Sequence, residues 1–251
     1  MSKFICSKLI LVFFIMKKMI LASTSTIYGS EYLEYLFPVI KNLFSNSKNI
    51  LFIPYARPNG LSYKSYTNIV KDTFEQLNLS VFGIDDSNNP IENINRCDGI
   101  FIGGGNSFLL LDSIQRYNLI KPITKKINSG TPLLGTSAGT NICGISIGTT
   151  NDMPIVHPSS LKSLNLIPFN INPHYIDLIK GSKHMGESRE IRIKEFHKFN
   201  DQIVIGLREG SYLQAQENNI ILKGPNTARI FKKDYTPYEI EPEFNLNKLL
   251  Y

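Results

Sequence analysis

Leu133-Leu134-Gly135-Thr136-Ser137-Ala138-Gly139-Thr140-Asn141 is the stretch of this chain that says most about its fold. An apolar run ends in a serine between two glycines, and a segment compatible with a helix follows. This pattern is typical of a nucleophile elbow, a strand, sharp turn and helix that expose the serine hydroxyl at a sheet edge. Gly135 and Gly139 have no Cβ, so the strand and helix can approach closely around Ser137. The same residues also fit an ordinary strand-to-helix turn in which the serine only caps the helix.

The composition limits the classes of protein to consider. A length of 251 residues suits one α/β domain with at most small extensions, and a hydrophobic content of 42% argues against disorder. The formal charge is +6, but the basic residues are spread along the chain, so we expect no nucleic-acid partner. Cys6, Cys97 and Cys143 are widely spaced, which argues against a disulfide framework or a zinc site. We therefore expect no metal and no cofactor, and we interpret Cys143 as a core residue.

The N-terminal segment decides the expected location. Residues 9–15 form an apolar run behind Lys3 and Lys8, which partly looks like a signal peptide. However, Lys17-Lys18 interrupts the apolar stretch, and the run is too short to span a bilayer as a helix. We therefore interpret residues 1–15 as an extension outside the fold and residues 16–251 as a single α/β domain. We expect a cytoplasmic protein that makes no membrane contact.

Strand-like and helix-like segments alternate before the elbow. This alternation predicts a mostly parallel sheet with helices on both faces, whose ligands bind beyond the carboxyl ends of the strands. A helix and several short strands follow in the C-terminal part. We expect strands at 19–22, 49–54, 79–84, 97–102, 131–136, 202–207, 211–216, 219–222 and 228–231, and helices at 31–44, 61–77, 108–117, 122–128 and 187–199.

Several short motifs accompany the elbow along the chain. They are Gly103-Gly104-Gly105-Asn106-Ser107, residues 149–156, Ile171-Asn172-Pro173-His174-Tyr175, Ile205-Gly206-Leu207-Arg208-Glu209-Gly210 and Gly224-Pro225-Asn226-Thr227. Taken in order with the elbow, these motifs resemble the peptidase E family, the aspartyl dipeptidases among serine peptidases. The resemblance begins at about Met19 and covers nearly all of the remaining chain. It implies a fold like that of the class I glutamine amidotransferases (flavodoxin-like), not the α/β-hydrolase fold.

A serine nucleophile needs a base and a group that orients that base. Of the four histidines, His174 leads by context and His157 comes second, and the Asn-Pro-His-Tyr match to the family strengthens the case for His174. Glu209 and Asp152 are both candidates for the orienting acid. We favour Glu209, because the end of a strand suits a fixed, partly buried carboxylate. Asp152 is then expected to support the site wall or to bind the substrate's free amino group.

The glycine loop and the elbow together predict an oxyanion hole. Its donors would be the backbone N–H groups of Gly105 and Ala138. Glycine loops before helices also bind phosphate, but neither the dinucleotide-binding pattern nor the P-loop pattern is present in this chain.

The resemblance implies hydrolysis of dipeptides with N-terminal aspartate. The aspartate side chain would need a cation, and Arg189 matches the family's Gly-Glu-Thr-Arg-Glu segment. Its alternative interpretation is a solvated arginine among charged helix neighbours. Asn106 is assigned to substrate binding with it. The loop before Arg189, at 180–185, is one residue longer than the family pattern.

Three other functions remain open at this point. A cyanophycinase-like enzyme would share the elbow but cleave an aspartate-based polymer. A non-catalytic binding module on the same fold would bind small acidic peptides. A glutamine amidotransferase domain would carry a cysteine in place of Ser137. We expect a small peptide as the substrate partner and a monomer or weak dimer.

Overall fold

Eleven strands account for the two sheets of the computed structural model, which describes residues 17–57, 61–178, 181, 186–217 and 219–250. The extension predicted at 1–15 and most of the 180–185 loop lie outside the described residues. In chain order the strands are β1 (Lys18–Ala22), β2 (Ile50–Ile53), β3 (Val81–Gly83), β4 (Gly99–Ile102), β5 (Leu133–Thr136), β6 (Asn170–Asn172), β7 (Val204–Leu207), β8 (Tyr212–Gln216), β9 (Asn219–Lys223), β10 (Ala228–Phe231) and β11 (Tyr238–Ile240).

The larger sheet has seven strands in the order β3-β2-β4-β5-β1-β8-β9. The first five of these strands run parallel, while β8 pairs antiparallel with β1 and β9 antiparallel with β8. The expectation of a mostly parallel sheet is therefore confirmed. The carboxyl ends of β1, β2, β4 and β5 meet at one edge, and the elbow serine follows β5 there.

Helices cover both faces of this sheet. They are α1 (Phe37–Leu43), α2 (Tyr63–Glu75), α3 (Pro90–Arg96), α4 (Ser107–Arg116), α5 (Ile120–Asn128), α6 (Ala138–Asn141) and α7 (Arg189–Phe199), with 3₁₀ turns at Glu34–Leu36 and Leu246–Leu249. Because neighbouring residues of a strand point to opposite faces, each central strand supplies two apolar layers. In β2, Leu51 and Ile53 pack in the layer with α4 and α5, whereas Ile50 and Phe52 pack in the layer with α1 and α2.

A second, four-stranded sheet carries the other half of the site. Its order is β11-β10-β7-β6, with β6 parallel to β7 and the remaining pairs antiparallel. The register places Ile171 beside Ile205 and Asn172 beside Gly206. The residues that follow β6 and β7 therefore leave this sheet side by side. The strands at 204–207 and 228–231 agree with expectation, but their separation into a second sheet does not follow from the sequence pattern.

Some local predictions are wrong. The helix expected at 31–44 is a 3₁₀ turn followed by α1, and α3, β6 and β11 were not anticipated. The sequence pattern also predicts that Ile69 faces inward from the helix at 61–77, but its side chain in α2 is 41% exposed. The buried stripe of α2 includes Tyr66, Val70 and Phe74, at the spacing of one helix face, and Ile69 lies outside it.

Within the described residues, no helix combines the length and the apolar character needed to cross a bilayer. Cys143 is fully buried, as expected of a core residue, and burial raises the pKa of its thiol.

Candidate active site

The elbow serine has an unusual backbone conformation. Ser137 has φ 54° and ψ −112°, a region that non-glycine residues rarely occupy. Its amide donates to the Ala22 carbonyl at 3.1 Å, and its carbonyl accepts from the Thr140 and Asn141 amides. Its hydroxyl makes no capping hydrogen bond to α6. The interpretation of Ser137 as a mere helix cap is therefore wrong, and its hydroxyl is available to the candidate active site.

The close approach predicted for the elbow glycines is present. A Cβ on Gly139 would lie 2.1 Å from the Ile102 carbonyl oxygen, and one on Gly135 would lie 2.8 Å from the Gly139 carbonyl oxygen. Strand β4, strand β5 and α6 can therefore pack around Ser137 only with glycine at these positions. The sequence pattern suggests that the helix continues to Cys143, but α6 is a single turn and Cys143 lies beyond its end.

His174 lies between the serine and the glutamate. Its Nε2 is 2.8 Å from Ser137 Oγ, and its Nδ1 is 2.6 Å from Glu209 Oε1. With the proton on Nδ1, the ring donates to the carboxylate and Nε2 accepts the serine proton. His174 is separated from the end of β6 by Pro173 alone and has φ 52°. The chain thus turns sharply there and presents the ring to Ser137.

Glu209 lies two residues beyond β7 and so next to the histidine. The Asn226 side-chain amide donates to the Glu209 carbonyl at 2.8 Å, which gives the Gly224–Thr227 motif a role in holding this turn. The Glu209 side chain is 54% exposed. The carboxylate is therefore only partly buried, as expected, and more than half of it is open to solvent at the end of β7. The expectation that this carboxylate lies close to His174 is consistent with the structure.

Ser23 connects the two sheets beneath the histidine, and the sequence analysis missed it. Its fully buried hydroxyl accepts from the His174 amide at 2.8 Å and donates to the Leu207 carbonyl at 2.8 Å. One side chain therefore ties the end of β1 to the turns that carry His174 and Glu209. A signal was present, since Ser23 follows an expected buried strand, but its partners are distant in the chain.

Asp152 contacts the start of α4, the helix that follows the glycine loop, and does not contact His174. Its Oδ2 accepts from the Ser107 amide at 2.7 Å and from the Thr150 hydroxyl at 3.0 Å. The structure therefore places Glu209, and not Asp152, on the histidine. Asp152 nevertheless lines a cleft of about 220 Å³ together with Ser137, His174 and Arg189.

Arg189 begins α7 and reaches the same cleft. Its Nη1 is buried, with no hydrogen-bond partner among the residues that the structure describes. Burial lowers the pKa of its guanidinium, and the nearby Glu209 carboxylate opposes that shift. An arginine nitrogen without a partner inside a cleft is an anion-binding group, since buried polar atoms are normally hydrogen-bonded. The alternative of a solvated arginine within a charged helix surface does not fit this burial.

The remaining predicted site residues surround Ser137. Asn106 uses both ends of its side-chain amide inside the protein, because Oδ1 accepts from the Leu109 amide and Nδ2 donates to the Met153 carbonyl. Its role in substrate binding remains a prediction. Gly105 (φ 146°) packs on Ala56, and Ala138 follows the serine; the role of their amides as oxyanion donors also stays a prediction.

A network of ion pairs supports the turn behind Glu209. Arg208 pairs with Asp177 at 2.6 Å and with Glu239 at 2.7 Å, and its guanidinium lies over the Tyr175 ring. Burial opposes the charge of Glu239, but hydrogen bonds from Arg208, Thr227 and Arg229 outweigh that effect and lower the pKa of its carboxyl to about 2. The neighbours of Glu209 and His174 are therefore fixed to the second sheet.

A parallel α/β sheet with a serine on a strained strand-to-helix turn, in line with a histidine and a carboxylate, has the arrangement of a serine hydrolase. The comparisons with known proteins narrow this class. The sequence profile of peptidase family S51 matches residues 19–223, and the chain belongs to that family.

Relatives with known names agree with this assignment. A "Peptidase E" of Streptomyces coelicolor is 39% identical over 92% of this chain and 94% of its own length. A "Probable alpha-aspartyl dipeptidase" of Drosophila melanogaster is 39% identical over 93% of this chain and 98% of its own length.

Two solved structures share the fold. The putative peptidase E protein from Listeria monocytogenes superposes with a TM-score of 0.62 at 24% identity, over 84% of this chain and 100% of that one. A peptidase from an acI-B1 actinobacterium superposes with a TM-score of 0.71 at 19% identity, over 92% and 97% of the two chains.

Proposed function

We propose that this protein is a serine dipeptidase that hydrolyses Asp-X dipeptides and releases free aspartate. The observation that carries this proposal is the pair of short contacts made by His174, at 2.8 Å to Ser137 Oγ and 2.6 Å to Glu209 Oε1. These three groups lie in the order that a nucleophile, a general base and an orienting carboxylate require.

The proposed reaction uses the histidine twice. His174 Nε2 takes the Ser137 proton as Oγ attacks the carbonyl carbon of the aspartyl residue. The resulting oxyanion is stabilised by the amides of Ala138 and Gly105. His174 then gives the proton to the departing amine, which leaves an aspartyl ester on Ser137. A water, deprotonated by the same nitrogen, hydrolyses that ester, and the serine recovers its proton.

The charges of the cleft support the preference for N-terminal aspartate. Arg189 brings a guanidinium nitrogen that has no partner within the described part of the chain, and Asp152 brings a carboxylate, to the same cleft of about 220 Å³. A free aspartyl N-terminus carries the complementary charges, because its side chain is anionic and its α-amino group is cationic. Such a small cleft has room for one residue before the cleaved bond. We therefore assign Arg189 to the side-chain carboxylate and Asp152 to the amino group.

The test is hydrolysis of Asp-Leu, Ala-Leu, Glu-Leu and N-acetyl-Asp-Leu by the purified chain. Selective cleavage of Asp-Leu is expected. Ala-Leu lacks the side-chain carboxylate, Glu-Leu carries it one methylene further out, and N-acetyl-Asp-Leu lacks the charged amino group. Folded protein that cleaves none of them would overturn the proposal. Cleavage of an aspartate-based polymer alone would favour a cyanophycinase-like enzyme, and binding without turnover would favour a binding module.

Ser23 offers a test of how the histidine is positioned. Replacing Ser23 with alanine leaves the His174 amide without its acceptor, and we expect kcat to fall about 10-fold, from a loss of about 1–2 kcal/mol. KM for Asp-Leu should change little, because Ser23 does not line the cleft. Kinetics over pH 5–9 would check this, since a displaced imidazole also shifts the pH profile.

Two companion variants complete that test. Ser23→Thr keeps the hydroxyl and should recover most of kcat. Thr24→Ala removes the neighbouring buried hydroxyl, which donates to the Thr26 carbonyl and not to the site, and it should behave as wild type. An equal loss in Ser23→Ala and Thr24→Ala would mean that the effect is general destabilisation and not displacement of His174.

A further inference from the structure

Arg57 lies beyond the carboxyl end of β2, next to the glycine loop (residues 103–107), and its guanidinium lies over the Tyr66 ring of α2. Its neighbour Ala56 is fixed against that loop, because the Asn106 amide donates to the Ala56 carbonyl at 2.6 Å. A Cβ on Gly105 would lie 2.1 Å from the same carbonyl oxygen, so the two chain segments are in direct contact. The base of the Arg57 side chain is therefore held at the edge of the candidate active site.

The Arg57 guanidinium is held on an aromatic ring. Its Cζ lies 4.8 Å from the centroid of the Tyr66 ring, and its Nε is buried and has no hydrogen-bond partner among the residues that the structure describes. No acidic side chain within the described ranges pairs with it, whereas Arg208 and Arg229 each pair with two or more. A stacked, planar guanidinium with an unused donor is preorganised to bind a carboxylate.

A short series of contacts joins this cation to Ser137. The Tyr66 hydroxyl donates to the Gly104 carbonyl at 3.4 Å. Gly104 in turn lies against the serine, since a Cβ on it would be 3.1 Å from Ser137 Cβ. Arg57 is not among the residues that line the cleft with Arg189 and Asp152. It is therefore connected to Ser137 through Tyr66 and Gly104, and not through that cleft.

We propose that Arg57 binds the α-carboxylate of the second residue of the dipeptide, the residue that leaves after cleavage. This inference rests on the proposed dipeptidase function and extends it to the leaving-group side. In a dipeptide that carboxylate is one residue beyond the cleaved bond, roughly 3.5 Å along the chain. A cation next to the glycine loop is suited to bind this carboxylate. Such a cation selects peptides whose second residue is the last one.

The experiment compares Asp-Leu with Asp-Leu-amide, which differ only in the carboxylate. Wild type is expected to cleave Asp-Leu with a kcat/KM about 10- to 100-fold above that of the amide, as for a lost charge-assisted hydrogen bond. Arg57→Met, which keeps an apolar stem on Tyr66, should bring this ratio close to one. Arg57→Lys keeps the charge without the planar fork and should give an intermediate ratio.

Arg96→Met is the matched control. Arg96 also stacks on an aromatic ring, with Cζ 4.5 Å from the Phe82 centroid, but it lies at the end of α3, remote from Ser137. Its variant should keep the wild-type ratio. A wild-type ratio near one, or an unchanged ratio in both Arg57 variants, would overturn the inference and leave the dipeptidase proposal standing. Folded wild type that cleaves neither substrate would remove the proposed function and this inference with it.

Discussion

Replacing Ser137 with alanine is expected to reduce kcat for Asp-Leu by about 10⁴- to 10⁶-fold, the range found when a triad nucleophile is removed. The variant keeps the elbow backbone, and it loses only the hydroxyl that lies 2.8 Å from His174 Nε2. The loss is measured as the rate at which free aspartate is released from Asp-Leu, with the aspartate quantified by chromatography. A fluorophosphonate probe provides a second readout, because it should label wild type and not the variant.

The control for Ser137→Ala is Ser163, a buried serine outside the candidate active site. Ser163 donates to the Gly144 carbonyl at 2.7 Å and takes no part in the contacts around His174. Ser163→Ala should keep nearly all activity, while its thermal midpoint falls slightly. If Ser137→Ala retained activity near that of wild type, a different nucleophile would be required and the proposed mechanism would be wrong.

Replacing Arg189 with methionine is expected to lower kcat/KM for Asp-Leu by about 10²- to 10³-fold, as for the loss of one partner of a buried, hydrogen-bonded charge pair. Methionine retains a flexible apolar side chain of moderate length but has no charge. The rate on Ala-Leu should fall far less, because that substrate has no side-chain carboxylate to lose. The measured quantity is therefore the ratio of kcat/KM values for Asp-Leu and Ala-Leu, which should fall toward one.

Arg192 provides the matched control for this variant. It lies one turn further along α7 and its side chain faces solvent. Arg192→Met should preserve the substrate ratio, whereas Arg189→Lys should recover part of it through charge alone. An unchanged ratio in Arg189→Met would mean that Arg189 does not bind the substrate carboxylate, and another cation would have to supply that specificity.

The parts of this protein that the sequence predicted well are local in the chain. The elbow places an apolar strand, two glycines and a serine within a few adjacent residues, so the pattern alone predicts the turn. The strands of the parallel sheet were likewise recognisable, because residues such as Ile50 and Leu51 are buried on opposite faces and leave an uninterrupted apolar run. The buried faces of helices were harder to predict, as the exposed Ile69 illustrates, because the face that a helix buries depends on what packs against it.

The site required more than local pattern. The candidates His174 and Glu209 came from context and family resemblance, but their contacts depend on the parallel pairing of β6 with β7, and β6 is too short to recognise in the sequence. The sequence already favoured Glu209 over Asp152, and the geometry agrees, because Glu209 and not Asp152 contacts the histidine. The capping of α4 by Asn106 was overlooked, although an asparagine just before a helix often has that role.

By itself, the sequence determined which strands are buried, where the elbow at Ser137 lies and which glycines its tight packing requires. Each of these follows from residues close together in the chain. Only the tertiary structure decided which groups meet at the serine. The hydroxyl of Ser23 and the amide of His174 are 151 residues apart, yet they form one hydrogen bond of 2.8 Å. Such contacts arise when the ends of strands from two sheets converge, and the pairing of those strands is a property of the whole fold and not of any single segment.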